Sequence, residues 1–274
     1  MRKGASEMRG KFGRGQFELT GQLVFYGCKL AFRLAIVIGM YVLYFTHREL
    51  ITKYMEQPFY KGITLVHVAW VAFMSVMIIH LLSETHLVDR LTMAIRKSRE
   101  REYVPVRNYN RLELLEYVQN MNIKAWMVML VWLGLNSVIG LLYVLNIFHN
   151  EELLMCTVTF YLCDYICILF FCPFQTFIMH DKCCVNCRIY DWGHFMMFTP
   201  MLFIKNFYSW SLFFMSCIVL IHWELIYARH PERFWEGSNK VLQCANCHDK
   251  TCQIKNLLRG NGLRAGVVEK DKTI

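Results

Sequence analysis

The chain has 274 residues, of which 55% are hydrophobic and only 19% are charged, and its net charge is +9. Soluble domains usually carry about 25% charged residues, and here the apolar residues form long runs, so an ordinary soluble enzyme and a disordered scaffold are excluded. The Lys and Arg residues lie between the apolar runs without a zinc-finger or RNA-binding pattern, so we expect the lipid bilayer, and no nucleic acid, as the partner.

The apolar runs predict transmembrane helices in residues 20–228, between a basic N-terminus (1–19) and a polar tail (229–274). The predicted spans are residues 20–45, 62–83, 125–148, 153–179, 192–204 and 207–228. The fifth is short and contains Pro200, and runs of about 10–14 apolar residues are more often re-entrant than spanning. The sequence therefore predicts an all-α integral membrane protein, a helical bundle with about six spans and with five as the alternative.

Lys and Arg residues in the connecting segments predict the orientation of the chain. The N-terminal 19 residues contain five of them, residues 84–119 contain seven, and the tail contains nine. Because cytoplasmic segments of membrane proteins are enriched in Lys and Arg, we expect the N-terminus and residues 84–119 in the cytoplasm. Six spans would also place the tail in the cytoplasm, whereas five would place it outside.

Residues 84–121 form a basic amphipathic segment between the second and third predicted spans. Leu87, Leu91 and Ile95 recur every four residues, Pro105 interrupts the pattern, and a second apolar stripe follows. The pattern predicts a helical hairpin lying on anionic lipid. The alternative is a docking surface for a protein partner at this basic cytoplasmic face.

Two cysteine segments flank the last apolar region. Residues 180–187 read His-Asp-Lys-Cys-Cys-Val-Asn-Cys, and residues 244–252 read Cys-Ala-Asn-Cys-His-Asp-Lys-Thr-Cys. Each contains a Cys-x-x-Cys knuckle, and two knuckles supply four thiolates for tetrahedral zinc or for an iron–sulfur cluster. The predicted metal ligands are Cys184, Cys187, Cys244 and Cys247, followed by Cys183 and Cys252. Six spans would bring both segments to the cytoplasmic face, where disulfides are disfavoured.

Haem is the other cofactor that the sequence allows. Residues 244–248 match the Cys-x-x-Cys-His pattern of covalent haem attachment, which requires the outer side of the membrane and therefore five spans. His80, His194 and His222 are candidates for binding a b-type haem or a quinone within the bundle, and His248 is the histidine of the attachment pattern. Disulfides on the outside, unligated thiols and packing histidines are the plainer alternatives.

Two opposite charges lie at matching depths in the predicted bundle. Arg33 is near the middle of the first span and Asp164 is near the middle of the fourth, and these two spans run in opposite directions. Charged groups inside a bilayer are usually paired. The sequence therefore predicts an intramembrane ion pair, which serves either helix packing or a proton or ligand pathway.

Together these features predict a redox or membrane-anchor subunit that carries an iron–sulfur centre. The alternative is a non-enzymatic transport, assembly or scaffold protein in which structural zinc clasps the last two spans to the fourth. A membrane cytochrome that uses the Cys-x-x-Cys-His pattern is a further alternative. The chain has no P-loop, nucleophile elbow, His-Glu-x-x-His pair or dinucleotide fingerprint, so the sequence assigns no catalytic residue and leaves enzymatic activity open.

Overall fold

The computed structural model describes residues 21–56, 65–82, 93–181, 183, 186–247, 252, 254 and 255. Within these residues the chain is helical and contains no strand, which confirms the all-α part of the predicted fold class. The α-helices are α1 (Gly21–Thr46), α2 (Arg48–Glu56), α3 (Leu65–Leu81), α4 (Met93–Arg96), α5 (Arg111–Val144), α6 (Asn150–Leu169), α7 (Gly193–Phe198) and α8 (Phe207–Arg229).

Among the described residues, four helices are long and apolar enough to cross a membrane, namely residues 24–46 of α1 together with α5, α6 and α8. The apolar part of α3, Val66–Leu81, is shorter. Large apolar side chains on these helices point outward, and Phe32 and Trp126 are 66% and 69% exposed. Helices of this length and apolarity that turn large apolar side chains outward are typical of a protein that faces lipid, so the chain is a membrane protein.

The ends of the antiparallel helices α1 and α6 define the two ends of the bundle. Tyr44 Oη donates to Glu152 Oε1 over 2.7 Å, and Arg48 pairs with the same carboxylate at 2.6 Å. These contacts join the end of α1 to the start of α6. We call this the hairpin end, because the loop 145–149 between α5 and α6 lies there, and we call the opposite end, which carries Cys187, the cysteine end.

Helix α5 begins well before residue 125, the predicted start of the third span. The side-chain oxygen of Asn110 accepts the Leu112 N–H over 3.0 Å and caps the helix at its first turn. The second apolar stripe of the segment 84–121 and the third span are therefore one helix of 34 residues. Residues 97–110 of that segment contain no α-helix, and residues 84–92 lie outside the described residues.

The predicted fourth span is interrupted near its end. α6 ends at Leu169, and a single π-helical turn, Phe174–Met179, follows Pro173. Proline has no backbone N–H and its ring clashes with the carbonyl one helical turn earlier, so the α-helix cannot continue through residue 173.

The predicted fifth span, residues 192–204, falls largely in a segment of 3-10 turns at Tyr190–Trp192 and Thr199–Phe203 on either side of α7. This segment, residues 190–203, lies against α6 and α8. At its start Trp192 belongs to the same buried cluster as Cys187 at the cysteine end. Directly after it, Ile204 packs with Leu153 near the hairpin end.

Two cations of the basic segment are buried at the cysteine end. Lys97 and Arg99 are each 1% exposed. Lys97 Nζ donates to the carbonyl oxygen of Cys187 over 2.8 Å and lies 5.5 Å from the ring centres of Trp223 and Phe234. The sequence predicts that this basic segment lies on the lipid surface. Lys97 and Arg99 instead pack into the protein at the cysteine end of the bundle.

Candidate functional site

Parts of both cysteine segments lie together at the cysteine end. Cys183 follows the π-helical turn after α6, and Cys247 lies in the tail that follows α8. Both side chains pack against Leu242, which is buried. Two segments that are far apart in sequence therefore meet around one leucine.

The other predicted metal ligands have different surroundings. Cys187 is buried in the core with Met179 and Trp192. Cys244 is exposed, and Cys252 is half-buried. Cys184 and His248 lie outside the described residues.

Beyond Cys252 the tail returns to α6. Lys255 Nζ donates to the carbonyl oxygen of Cys167 over 3.0 Å and to Gln175 Oε1 over 2.9 Å. Ile254 packs against the cluster that contains Tyr165. These contacts hold the tail on the end of α6 beside the first cysteine segment.

Arg188 fixes the first cysteine segment to α8. Both Nη atoms donate to the Glu224 carboxylate, with Nη1 at 2.7 Å from Oε1, and the guanidinium lies 3.7 Å from the ring centre of Tyr227. Trp192 Nε1 donates to the same carboxylate over 2.8 Å. A bidentate pair fixes orientation as well as position, so the backbone of Cys187, one residue earlier, is held in place.

Burial alters the pKa of Cys187 and of two side chains near it. Loss of hydration lowers the pKa of Lys97 to about 8 and raises the pKa of Asp181 to about 6. Loss of hydration also raises the pKa of the Cys187 thiol, and the nearby Asp181 charge adds to that effect. These surroundings therefore favour the protonated thiol of Cys187 in the metal-free protein.

In the described part of the chain, no group of three or more His, Cys, Asp and Glu side chains is arranged to hold a metal ion. That part leaves out Cys184 and His248, which belong to the two cysteine segments. Cys183 and Cys247 are the predicted ligands that share a common neighbour, Leu242.

Inside the bundle, the structure brings Arg33 and Asp164 together. Arg33 Nη1 lies 2.9 Å from Asp164 Oδ2 and also donates to the carbonyl oxygen of Tyr161 over 2.6 Å. The guanidinium lies 4.1 Å and 3.9 Å from the ring centres of Tyr161 and Tyr165. The two tyrosines are neighbours that the sequence did not identify.

The structure also brings together two of the three histidines predicted within the bundle. The ring centres of His80 and His194 are 4.8 Å apart, with the rings edge to face. His80 Nδ1 lies 3.1 Å from Asp191 Oδ1. His222 lies on α8, and its Nε2 is buried without a hydrogen-bond partner among the described residues.

Asp191 and Gly193 are residues of this cluster that sequence reasoning missed. A Cβ atom at position 193 would lie 2.7 Å from Asp164 Oδ1, so only glycine lets the chain approach this carboxylate so closely. The available signal was the run Asp-Trp-Gly-His at 191–194, which places an acid and a histidine at the start of an apolar stretch.

Comparisons of the chain with protein-family models, with curated proteins and with solved structures found no match in any of the three. The function is therefore argued from the site alone.

Proposed function

We propose that this protein is a polytopic membrane subunit whose two cysteine segments bind one metal ion and so clasp the tail to the end of α6. The proposal rests on the packing of Cys183 and Cys247 against the same residue, Leu242. Two thiolates from each segment complete a tetrahedral zinc site. Such a closed site has a structural role, because it leaves no open position for a substrate.

The proposed ligands come equally from the two segments. Cys183 and Cys247 are chosen because both pack against Leu242, Cys244 because it forms the Cys-x-x-Cys knuckle with Cys247, and Cys184 because it adjoins Cys183 in sequence. Cys183, Cys244 and Cys247 are not grouped around a metal position in the described structure, so the proposed site requires the two segments to move closer together.

We place Cys187 outside the set, because its side chain packs in the core with Met179 and Trp192 and not against Leu242. Cys252 and His248 are then replacement ligands.

We further propose that the chain crosses the membrane six times, with the N-terminus and the cysteine end in the cytoplasm. Residues 190–204 support this count, because Trp192 packs beside Cys187 whereas Ile204 packs beside Leu153 near the other end. A 3-10 helix rises about 2.0 Å per residue against 1.5 Å for an α-helix, which extends the reach of a short run. The distribution of Lys and Arg supports the orientation.

An iron–sulfur centre in an electron-transfer or membrane-anchor subunit is the second candidate, since four thiolates accept this cluster as well as zinc. The intramembrane cluster of Arg33, Asp164, His80 and His194 favours it. A redox subunit that reduces a lipid-soluble quinone needs polar, proton-exchanging groups at membrane depth. The direct contact of the two histidine rings leaves no space for a haem plane between them and so favours a quinone over haem.

Metal analysis of anaerobically purified protein tests the clasp. We expect about one zinc ion per chain in the wild type. The variants Cys183→Ser/Cys184→Ser and Cys244→Ser/Cys247→Ser should each lose nearly all of it, because either change removes half of the ligands. The matched control Cys156→Ser/Cys217→Ser, in α6 and α8, should keep the metal, and so should Cys187→Ser.

Three outcomes decide between the proposals. Wild-type protein without a stoichiometric metal would overturn the clasp. Half of the metal remaining in either double variant would show two separate sites. Iron and sulfide with visible absorption that dithionite bleaches would establish the electron-transfer candidate instead.

A further inference from the structure

Five ionisable side chains from four segments meet inside the bundle. Arg33 and Asp164 are joined at 2.9 Å, His80 and Asp191 at 3.1 Å, and the rings of His80 and His194 touch at a centre-to-centre distance of 4.8 Å. The side chains of His80 and Asp191 are only 13% and 9% exposed. Ionisable groups at membrane depth are costly, and they commonly mark proton or substrate sites.

The four side chains in ion-pair contact, Arg33, Asp164, His80 and Asp191, carry no net charge when His80 holds one exchangeable proton. Arg33 and Asp164 neutralise each other. Among the described residues, His80 is the one basic side chain within 4.0 Å of Asp191. A neutral His80 would leave the buried Asp191 without a cation in ion-pair contact, which is unfavourable. The cluster is therefore stable with the imidazolium form of His80.

The charged groups around the two histidines, and the contact between their rings, limit the pair to one bound proton. Around His80 and His194, the charged groups are Asp191, Asp164 from α6, and Lys29 and Arg33 from α1. The adjacent helix α8 carries His222 and Glu224 toward the cysteine end. Two touching imidazoles repel each other when both are charged, so one of them carries the proton while the other stays neutral. His194 is thus the neutral partner when His80 carries the proton.

An apolar layer separates the cluster from the hairpin end. Phe73, two helical turns before His80 on α3, packs edge-on against Tyr161 and Phe198 with ring centres 5.4 Å and 5.3 Å away. Met77, between Phe73 and His80, is fully buried. Protons do not cross such a layer without polar groups or water to carry them.

Polar groups continue from the cluster toward the cysteine end. Trp192, next to Asp191 in sequence, donates to Glu224 Oε1 over 2.8 Å. The Glu224 side chain is 34% exposed and pairs with Arg188. At the start of the segment 190–203, polar contacts therefore lead from the cluster toward the cysteine end.

We propose that His80, Asp191 and His194 form a proton-binding site inside the bundle that exchanges with water at the cysteine end. A proton leaves a hydronium ion or buffer acid at that end and binds His80, whose imidazolium form then pairs electrostatically with Asp191 at 3.1 Å, and no electrons move. Loss of the proton removes the ion pair between α3 and the turn Tyr190–Trp192, so occupancy of the site is linked to the contact between these two elements. The site requires no metal at the cysteine segments.

Nitrogen-15 NMR of histidine-labelled protein in phosphatidylcholine nanodiscs tests the site, with the His80 signal assigned by His80→Gln. At pH 7.5 a histidine without a charged partner is about one-tenth protonated. We expect His80 to be mainly imidazolium at this pH. Asp191→Asn should convert it to the neutral form, whereas Asp191→Glu should preserve the imidazolium. The matched control Glu232→Gln, beside the half-exposed His230, should leave His80 unchanged.

A neutral His80 in the wild type at pH 7.5 would overturn the proposal, and this result does not depend on the folding of any variant at position 191. An imidazolium signal that persists in folded Asp191→Asn protein would overturn it as well. Proton access from the cysteine end alone is tested separately, in vesicles that contain the pH-sensitive dye pyranine. With valinomycin present, wild-type proteoliposomes should hold a pH gradient as long as empty vesicles do, and a faster collapse would contradict the closed hairpin side.

Discussion

Two arginines at helix contacts, Arg33 and Arg188, are each met by a carboxylate and by at least one aromatic ring. Arg33 has Asp164 and two tyrosine rings, and Arg188 has Glu224 and Tyr227. A guanidinium suits such sites because its flat face stacks on a ring while its edge donates several hydrogen bonds. At the residue scale, removal of one partner is therefore expected to cost more than removal of both.

The Arg33–Asp164 pair provides the test of this expectation. Asp164→Ala leaves an unpaired guanidinium in hydrocarbon and should destabilise the protein by about 3–5 kcal/mol. The double change Arg33→Leu/Asp164→Leu should recover much of the loss, because it leaves no charge unpaired. Thermal unfolding in detergent measures both, with Cys163→Ser at the exposed neighbouring position as the control. Equal losses in the single and double variants would contradict a stabilising contact.

At the scale of elements, the approach of α7 to α6 depends on a residue without a side chain. Gly193 begins α7 and faces the Asp164 carboxylate, which Arg33 holds in place. The polar cluster is assembled at this crossing, since Asp191 precedes Gly193 and His194 follows it. A displacement of α7 would therefore disturb both the packing of α7 against α6 and the polar cluster.

Gly193→Ala should destabilise the protein by about 1–3 kcal/mol, as overpacking of a close contact does. The physical reason is the 2.7 Å separation between the added Cβ and Asp164 Oδ1. The matched control is Gly134→Ala in α5, where no atom lies within 4 Å of the added Cβ. Alanine is the better helix former, so this control should be neutral or slightly stabilising in the same thermal measurement. A Gly193→Ala variant as stable as the control would show that the carboxylate moves aside freely.

At the scale of the whole molecule, the number of crossings decides which compartment the cysteine segments face. A cytoplasmic location keeps the thiols reduced and available for a metal, whereas the outer side favours disulfides and permits covalent haem attachment. The side of the membrane on which one tail residue lies therefore distinguishes five from six spans.

Labelling with a membrane-impermeant maleimide in intact cells determines that side. In a variant that keeps only Cys252, the six-span topology predicts labelling after the membrane is opened and none before. Asn146→Cys, in the exposed loop at the hairpin end, is the matched control and should be labelled in intact cells. Labelling of Cys252 in intact cells would contradict six spans and favour covalent haem.

The sequence by itself determined the helical membrane class, because runs of apolar residues report directly on the solvent around a segment. It also placed Arg33 and Asp164 at the same depth, since position within a span translates into height in the bilayer. Helix boundaries were less predictable where a single contact decides them, as at Asn110, whose side chain caps α5 in advance of the apolar run.

Only the tertiary structure decided which helix faces meet. It set Asp191 against His80, packed Gly193 against Asp164, and buried Cys187 in the core although its spacing resembles that of a metal ligand. Residue spacing reports on local backbone geometry, whereas these contacts join residues far apart in the chain. They depend on the rotation and crossing of α3, α6 and α7, which follow from the packing of all their neighbours together.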